Sequence, residues 1–334
     1  MPGVLRTIFK RRKVKPAGTV DLSVIMPYCN EFPQVLFTIR GLAEEFRGRV
    51  NFEILPVNNF HRLCRYDGFP VSDPAPDFLE QASAGNSWLR PLAYDKGLSH
   101  WQAKNFAVTQ TKGEFLLFVD AHTLPGRSGL SSMFDYYQKR YRALNGSIHP
   151  PLTYQILEWR RLIYRHVVDL EKGQLSYTFA DFRPAFSPYL VPCMSSCGML
   201  VHREIYDALG GWPQALGSYS GGEQFWNYAM AVLGKNVWIW PGEPLYHHGD
   251  RRGYTMDGLD IVRNQCIATY VVAGEEMARR FLQNVRKPVW QGKVRADLMD
   301  KGNLMQDVIQ KCSQHRELIV QRQVISLENW LKQW

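Results

Sequence analysis

The 334-residue chain lacks any run of 18 apolar residues, so no transmembrane helix is expected. A secretory leader is not expected either. VLRTIF at 4–9 is too short for the apolar core of one, and a basic run follows it where a cleavage site would stand. Cysteine is sparse. Cys29, Cys64, Cys193, Cys197, Cys266 and Cys312 include no CxxC pair, which argues against a zinc cluster. A disulfide framework is not expected in a chain this long. There is no internal repeat and no low-complexity stretch, and 21% charged residues are too few for a globally disordered chain. Together these absences predict a cytoplasmic location.

What is present suits a sizeable core: 45% hydrophobic residues and 13% aromatics. The formal charge of +9 is unevenly placed. Residues 1–20 carry Arg6, Lys10, Arg11, Arg12, Lys13 and Lys15 and no acid, and residues 273–334 carry a further excess of +4. The body between them is close to neutral. Basic ends suit a polyanion or an anionic membrane surface, and equally a solubilising tail and an ordinary basic helical face.

Leu22-Ser-Val-Ile-Met26 has a buried-strand pattern ended by Pro27. Glu31 to Phe46 reads as a helix, Phe52 to Val57 as a strand ended by Asn58-Asn59, and 60–97 as an irregular connection with a short helix near 77–83. Ser99 caps a helix running to about Thr111, and Phe115 to Val119 is a wholly apolar strand at the centre of the sheet. This alternation predicts an α/β fold with parallel strands and right-handed crossovers. Ligands of such sheets sit at the carboxyl ends of the strands, which gathers Tyr28 to Glu31, Asn58-Asn59 and Asp120 to His122 around one crevice. Further along, 131–172 reads as helical, Met199 to Val201 as a strand, Arg203 to Leu209 and Glu223 to Leu233 as helices, and Val237 to Trp240 as a strand. Residues 273–334 read as mostly helical.

Three constellations carry chemistry. Asp120-Ala-His122 puts a carboxylate and an imidazole two apart, on the same side of an extended chain. That donor pair suits a divalent metal such as Mn²⁺; the alternative is a loop with an Asp cap and an unrelated His. His247-His248, near Arg251-Arg252, could complete a metal shell and meet phosphate, or be two solvated histidines. Gly221-Gly222-Glu223 opens a helix where a backbone can approach a ligand closely and a carboxylate can meet its hydroxyls; a plain loop with a favourable first-turn acid is the alternative.

Ser23-Val-Ile-Met-Pro-Tyr-Cys-Asn-Glu31 resembles the opening strand and nucleotide loop of family 2 glycosyltransferases. Lys104-Asn105, Gly113-Glu114 and the strand into Asp120 resemble their helix and DxD segment. The DxH form, the Tyr-Cys-Asn-Glu turn and the Gly-Gly-Glu helix start are more similar to polypeptide N-acetylgalactosaminyltransferases. In those enzymes a His six residues after a Pro completes the metal shell, and here Pro241 plus six is His247. Cys197-Gly198-Met-Leu-Val201 followed by Leu209-Gly-Gly-Trp212 resembles an acceptor-side segment shared by both families. The resemblance covers about 22–60, 98–125 and 193–255.

The resemblance implies a GT-A fold, a Rossmann-like, mostly parallel sheet flanked by helices. Residues 1–20 would be a flexible basic arm, 21–272 the catalytic domain and 273–334 a helical C-terminal extension. Tyr28 and Asn30 would border the nucleoside of a UDP-sugar donor, with Pro27, Glu31, Asn58, Asn59, Lys104, Gly198 and Gly222 completing the donor site. Asp120, His122 and His247 would hold Mn²⁺ or Mg²⁺ against the diphosphate, Arg251 and Arg252 would neutralise the leaving nucleotide, and Glu223 would grip the sugar. Asn58-Asn59 stand where family 2 enzymes carry two acids, although an amide still hydrogen-bonds a uracil edge. Gln224 stands where inverting members carry a general base and cannot take a proton, so a retaining transfer is expected, with Glu223 as an inverting base the alternative.

For the acceptor, the basic flanks and Trp290, Trp330 and Trp334 favour a hydroxymethylated pyrimidine in phage-type DNA, flipped from the helix. The alternatives are a peripheral-membrane enzyme of surface polysaccharide synthesis and a non-catalytic binding module on the same scaffold.

Overall fold

The computed structural model describes residues 19–62, 66–69, 72–154, 159–248, 253–285 and 301–334. The chain opens with β1 (Leu22–Tyr28), α1 (Gln34–Phe46), β2 (Phe52–Asn58), α2 (Ala75–Ala84), β3 (Leu92–Ala93), α3 (His100–Gln110), β4 (Phe115–Phe118) and β5 (Thr123–Pro125). It continues through α4 (Gly129–Leu144), β6 (Gly146–His149), β7 (Leu152–Thr153), β8 (Leu162–Asp169), β9 (Gln174–Asp181), β10 (Tyr189–Val191) and β11 (Met199–His202). The last third holds α5 (Arg203–Leu209), α6 (Gly222–Val232), β12 (Asn236–Ile239), β13 (Leu245–His247), α7 (Gly258–Ala273), α8 (Glu275–Asn284), α9 (Lys301–Arg322) and α10 (Leu327–Leu331).

An eight-stranded sheet runs β10-β12-β6-β11-β4-β1-β2-β3. Its β4-β1-β2-β3 half is parallel, and β11 pairs antiparallel to β4. Both faces are buried, which is why β1 and β4 read as unbroken apolar runs rather than as alternating ones. Successive side chains still part to opposite faces. Val24 and Met26 pack with α1 residues Val35, Ile39 and Leu42, while Ile25 packs in the core that contains Trp101, Trp212 and Trp226. Met305, Val308, Cys312 and Ile319 of α9 belong to this second core, so the C-terminal helices share the apolar interior of the sheet's helical layer.

The helical reading of 131–172 holds as far as Leu144 and needs correction beyond it. Helix α4 ends at Leu144, and Asn145 follows in the left-handed region at φ 46°. Gly146 then passes so close to Asn236 that a Cβ would lie 1.8 Å from its carbonyl oxygen. The chain continues as strands β6 to β9. The Ile, Val, Tyr and Thr content of 162–181 suits a hairpin, and its inward positions recur every second residue, a period of two. Strands β7 to β9 join β5 and β13 in a second, five-stranded sheet ordered β5-β13-β7-β8-β9.

Candidate active site

The parallel half of the main sheet sends the ends of β1, β2 and β4 to one edge, where Tyr28, Asn58 and Asp120 emerge. Asp120 lies just past β4, and Ala121-His122 form a turn rather than the extended segment expected from sequence. Thr38 on α1 fixes that turn, donating to the carbonyls of Ala121 and Thr123 at 2.8 Å each. Strand β13 then pairs with β5, placing His247 opposite Thr123, and the His248 amide donates to the His122 carbonyl at 2.8 Å. Residues about 125 positions apart are thereby brought together.

One oxygen of Asp120 and one ring nitrogen of each histidine lie within 4.8 Å of one another. His247 Nε2 is 3.2 Å from Asp120 Oδ2 and 3.3 Å from His122 Nε2, and His122 Nε2 is 3.9 Å from Asp120 Oδ2. Ligands roughly 2.1 Å from a divalent ion stand about 3.0–3.4 Å apart, so the donor set fits one cation after small adjustment. Burial opposes ionisation of Asp120. The His247 hydrogen bond and the charges of Lys104, His122 and His247 outweigh it and hold the carboxyl well below the usual carboxylate range.

Glu31, which lines the cleft, also stands behind His122: its Oε1 is 2.5 Å from His122 Nδ1. Its other oxygen accepts from the Cys29 amide at 3.1 Å, and its own amide donates to Asp73. A carboxylate on Nδ1 selects the tautomer that leaves Nε2 free as a ligand.

Beside the three donors lies a solvent-open cleft lined by Pro27, Tyr28, Cys29, Glu31, Asn59, His100, Asp120, Ala121, His122 and Tyr254. Burial, and then the charges of Asp73 and Cys29, raise the Tyr28 phenol, so it stays protonated. Asn30 takes a positive φ of 53° and donates to the Gly253 carbonyl at 3.0 Å. That crossing tolerates only glycine at 253, where a Cβ would meet the Cys29 carbonyl oxygen at 1.9 Å. The asparagine pair is engaged within the chain. Asn58 accepts from the Phe60 amide, while Asn59 donates to the Tyr94 and Gly97 carbonyls and accepts from the Ser99 amide. Asn59 therefore fastens the loop that leads into α3.

Lys104 is fully buried, 4.8 Å from the centre of the Trp101 ring and 3.3 Å from Ser196 Oγ. Gly198, at φ +82°, donates to the Phe118 carbonyl at 2.7 Å and ties the 195–198 turn to the end of β4. Gly222 lets α6 start against Trp101, whose ring would lie 2.3 Å from a Cβ there. Glu223 on the first turn accepts from Ser195 Oγ at 2.7 Å, from the Ser196 amide at 2.8 Å, and from the Tyr177 hydroxyl. These donors hold the carboxylate in place at the start of α6. Gln224 points inward, and its side-chain oxygen is buried with no hydrogen-bond partner among the described residues. Arg251 and Arg252 lie outside the described residues.

A row of tyrosines was not foreseen. The Tyr154 ring lies 5.0 Å from that of His247, its hydroxyl is 3.1 Å from that of Tyr164, and Tyr164 stacks on Tyr177 at 4.4 Å. Tyr177 in turn donates to Glu223, so the row links the metal-binding edge to the start of α6. Burial first, and then the Glu223 charge, push Tyr164 and Tyr177 well above the usual phenol range. The only signal in sequence was tyrosine at inward positions of two paired strands, which becomes visible once the hairpin register is known.

A sheet of this topology, with a carboxylate and two imidazoles converging at its carboxyl edge, has the layout of a GT-A fold. The family described as glycosyl transferase family 2 matches residues 23–210, and the chain belongs to it. No individually curated protein matches. Among solved structures, GalNAc-T7 with UDP, GalNAc and Mn²⁺ is similar at TM-score 0.69 and 13% identity, over 95% of this chain and 56% of that one. S. aureus TarS 1–349 in complex with UDP-GlcNAc is similar at TM-score 0.56 and 14% identity, over 90% of this chain and 84% of that one. The longer S. aureus TarS chain matches at TM-score 0.53 and 14% identity, over 90% of this chain and 50% of that one. The chain thus spans about half the length of GalNAc-T7 and of the longer TarS chain. At such identities the likeness is one of fold. Among the described residues, no helix is long and apolar enough to cross a membrane.

Proposed function

We propose that this glycosyltransferase moves a sugar from a UDP-sugar to an acceptor hydroxyl with the aid of a divalent cation. The observation that carries the reading is the convergence of Asp120, His122 and His247 at the carboxyl edge of the sheet, beside the cleft that Tyr28 lines. These three side chains would hold Mn²⁺ or Mg²⁺, and the ion would supply Lewis-acid stabilisation of the departing diphosphate. The structures of GalNAc-T7 with UDP and Mn²⁺ and of TarS with UDP-GlcNAc support uridine as the nucleoside. Lys104, buried behind Asp120, adds positive charge to the donor side.

The transfer is read as retaining. Of the carboxylates at the cleft, Asp120 faces two histidines and Glu31 is held on His122. The Glu223 carboxylate is occupied by Tyr177, Ser195 and Ser196, and Gln224, where inverting members carry a general base, has no basic group. The acceptor is read as a hydroxymethylated pyrimidine in DNA, on the strength of the +9 charge and the basic flanks.

The test is to incubate the protein with UDP-sugars, Mn²⁺ and hydroxymethylated DNA, following sugar addition by mass spectrometry and the anomer formed by NMR. Turnover that is unaffected by chelation would sink the metal reading. An inverted anomer would sink the retaining one.

A further inference from the structure

At the open end of the β8–β9 hairpin, large apolar rings face solvent. Trp159 is 97% exposed, Phe186 is fully exposed and Phe179 about half so. The rest of the hairpin is tied down. A Cβ on Gly173 at its turn would lie 2.3 Å from the Met277 carbonyl oxygen of α8, and the His166 ring meets Trp330. Pairing of Leu162 with Asp181, and the Phe182 amide donating to the Arg161 carbonyl at 2.9 Å, hold the two flanking segments side by side. The Phe179 ring is 4.9 Å from Tyr154, which in turn contacts His247. Phe179 therefore links the open end of the hairpin to the metal-binding edge. Single exposed apolar residues are ordinary, but several large exposed rings at one end of a hairpin mark an interaction surface.

The polar groups among these rings include three arginines, two of them paired with carboxylates. Arg160 pairs with Asp181 at 2.6 Å and Arg161 with Glu243 at 3.3 Å. The Arg160 pair is solvent-exposed on both sides, and such pairs are worth little. Arg183 lies over the Tyr189 ring at 5.1 Å, and no carboxylate pairs with it among the described residues. A guanidinium donates hydrogen bonds and accepts none, so its complement is a partner rich in anionic acceptors. Flat rings interleaved with guanidinium groups match a polynucleotide, whose bases stack and whose phosphates take forked N–H contacts. A bilayer would be met best by rings on one outer plane. Phe179 instead turns to the inner face, against Tyr154, which suits a strand led toward the cleft.

We propose that this rim is the docking face for the acceptor nucleic acid. Trp159 and Phe186 stack on bases flanking the modified pyrimidine, and Arg183 contacts their phosphates. The proposal rests on the nucleic-acid reading of the acceptor.

The experiment measures binding of the full chain to a short labelled duplex containing hydroxymethylated pyrimidine, by fluorescence anisotropy over a series of salt concentrations. Trp159→Ala and Phe186→Ala are each expected to weaken binding roughly tenfold. Arg183→Gln is expected to lower the slope of log affinity against log salt by about one. Melting temperatures should stay unchanged, because Trp159 and Phe186 face solvent. Should the unaltered protein bind duplex while all three variants bind equally well with the same salt slope, the rim is not the docking face, and the acceptor reading survives. Should the unaltered protein bind no duplex even at low salt, the acceptor reading falls and this proposal with it. Flotation with anionic vesicles that depends on Trp159 and Phe186 would then assign the rim to a membrane.

Discussion

Residues 22–125 and residues 145–191 each contribute five strands, but they present side chains to the site in different ways. In the first region, parallel strands buried on both faces stop at one edge, and Tyr28, Asn59 and Asp120 reach the cleft from the segments where the strands end. In the second, an antiparallel hairpin delivers Tyr164 and Tyr177 from mid-strand, sideways onto Tyr154 and Glu223. A site at strand ends is marked in sequence by where apolar runs stop. A site on the flank of a hairpin is marked by register, which a sequence alone does not display.

If the strand-end region holds the reactive centre, the largest effect belongs to Asp120→Ala. Mn²⁺-dependent consumption of a UDP-sugar is expected to fall on the order of a thousandfold or more. Mn²⁺ binding by calorimetry should be lost in parallel. Retention of both would break the comparison at its root and move the chemistry elsewhere. Next in size is Glu31→Gln, which keeps a hydrogen-bonding group on His122 Nδ1 and removes its charge. Mn²⁺ affinity, followed by the paramagnetic resonance of the free ion, is expected to drop about 10–100-fold. An unchanged affinity would return Glu31 to the nucleotide loop.

These two substitutions also mark how far the sequence could be read. The α/β alternation, the strands around Val24, Leu55 and Leu117, and the convergence of Asp120 with His122 were legible because each rests on a local pattern or on the end of a parallel strand. His247 was reachable only through its spacing from Pro241, because its place is set by pairing with β5 across a long stretch of chain. Asn58 and Asn59 looked like ligand groups because they follow a strand. Their hydrogen bonds to Phe60, Tyr94, Gly97 and Ser99 could not be foreseen, since such loop contacts leave no periodicity. The 131–172 segment was read rightly as helical up to Leu144 and misread beyond it, where apolar and basic residues were taken for a continuing helical face although the strands repeat every second residue.

A smaller effect, on stability, should come from the second region. His149 ends β6 wholly buried, hydrogen-bonded to Ser147 Oγ at 2.8 Å and to the Ser195 carbonyl at 2.9 Å. Burial pushes its pKa down from 6.5 to about 3, against the raising effect of that carbonyl. The unfolded chain therefore takes up a proton near pH 6.5 that the folded chain refuses until about pH 3. Within that window stability falls as pH falls, by at most about 1.4 kcal/mol per pH unit from this group. His315, buried and pushed down to about 4, acts with the same sign. His149→Gln is accordingly expected to remove about half of the acid-side decline attributable to the two histidines, read as melting temperature between pH 6.5 and 4.5. An unchanged slope would mean that the β6 histidine is not the buried proton acceptor its surroundings make it.

The smallest expected effect separates the hydroxyl of the tyrosine row from its ring. Tyr154→Phe keeps the ring against His247 and Phe179 and deletes only the 3.1 Å link to Tyr164. One neutral hydrogen bond is worth about 1 kcal/mol net, so a drop of a few degrees in melting temperature is expected, with Mn²⁺ affinity unchanged. Tyr154→Ala also removes the ring, and the cavity left beside His247 should cost about 3–5 kcal/mol. It should loosen Mn²⁺ binding as well, because the wall that confines the imidazole is gone. If the two substitutions weaken metal binding alike, the hydroxyl chain rather than the packed ring holds His247 in place. The hairpin would then act on the reactive edge through its hydrogen bonds, as Glu31 does from the other side.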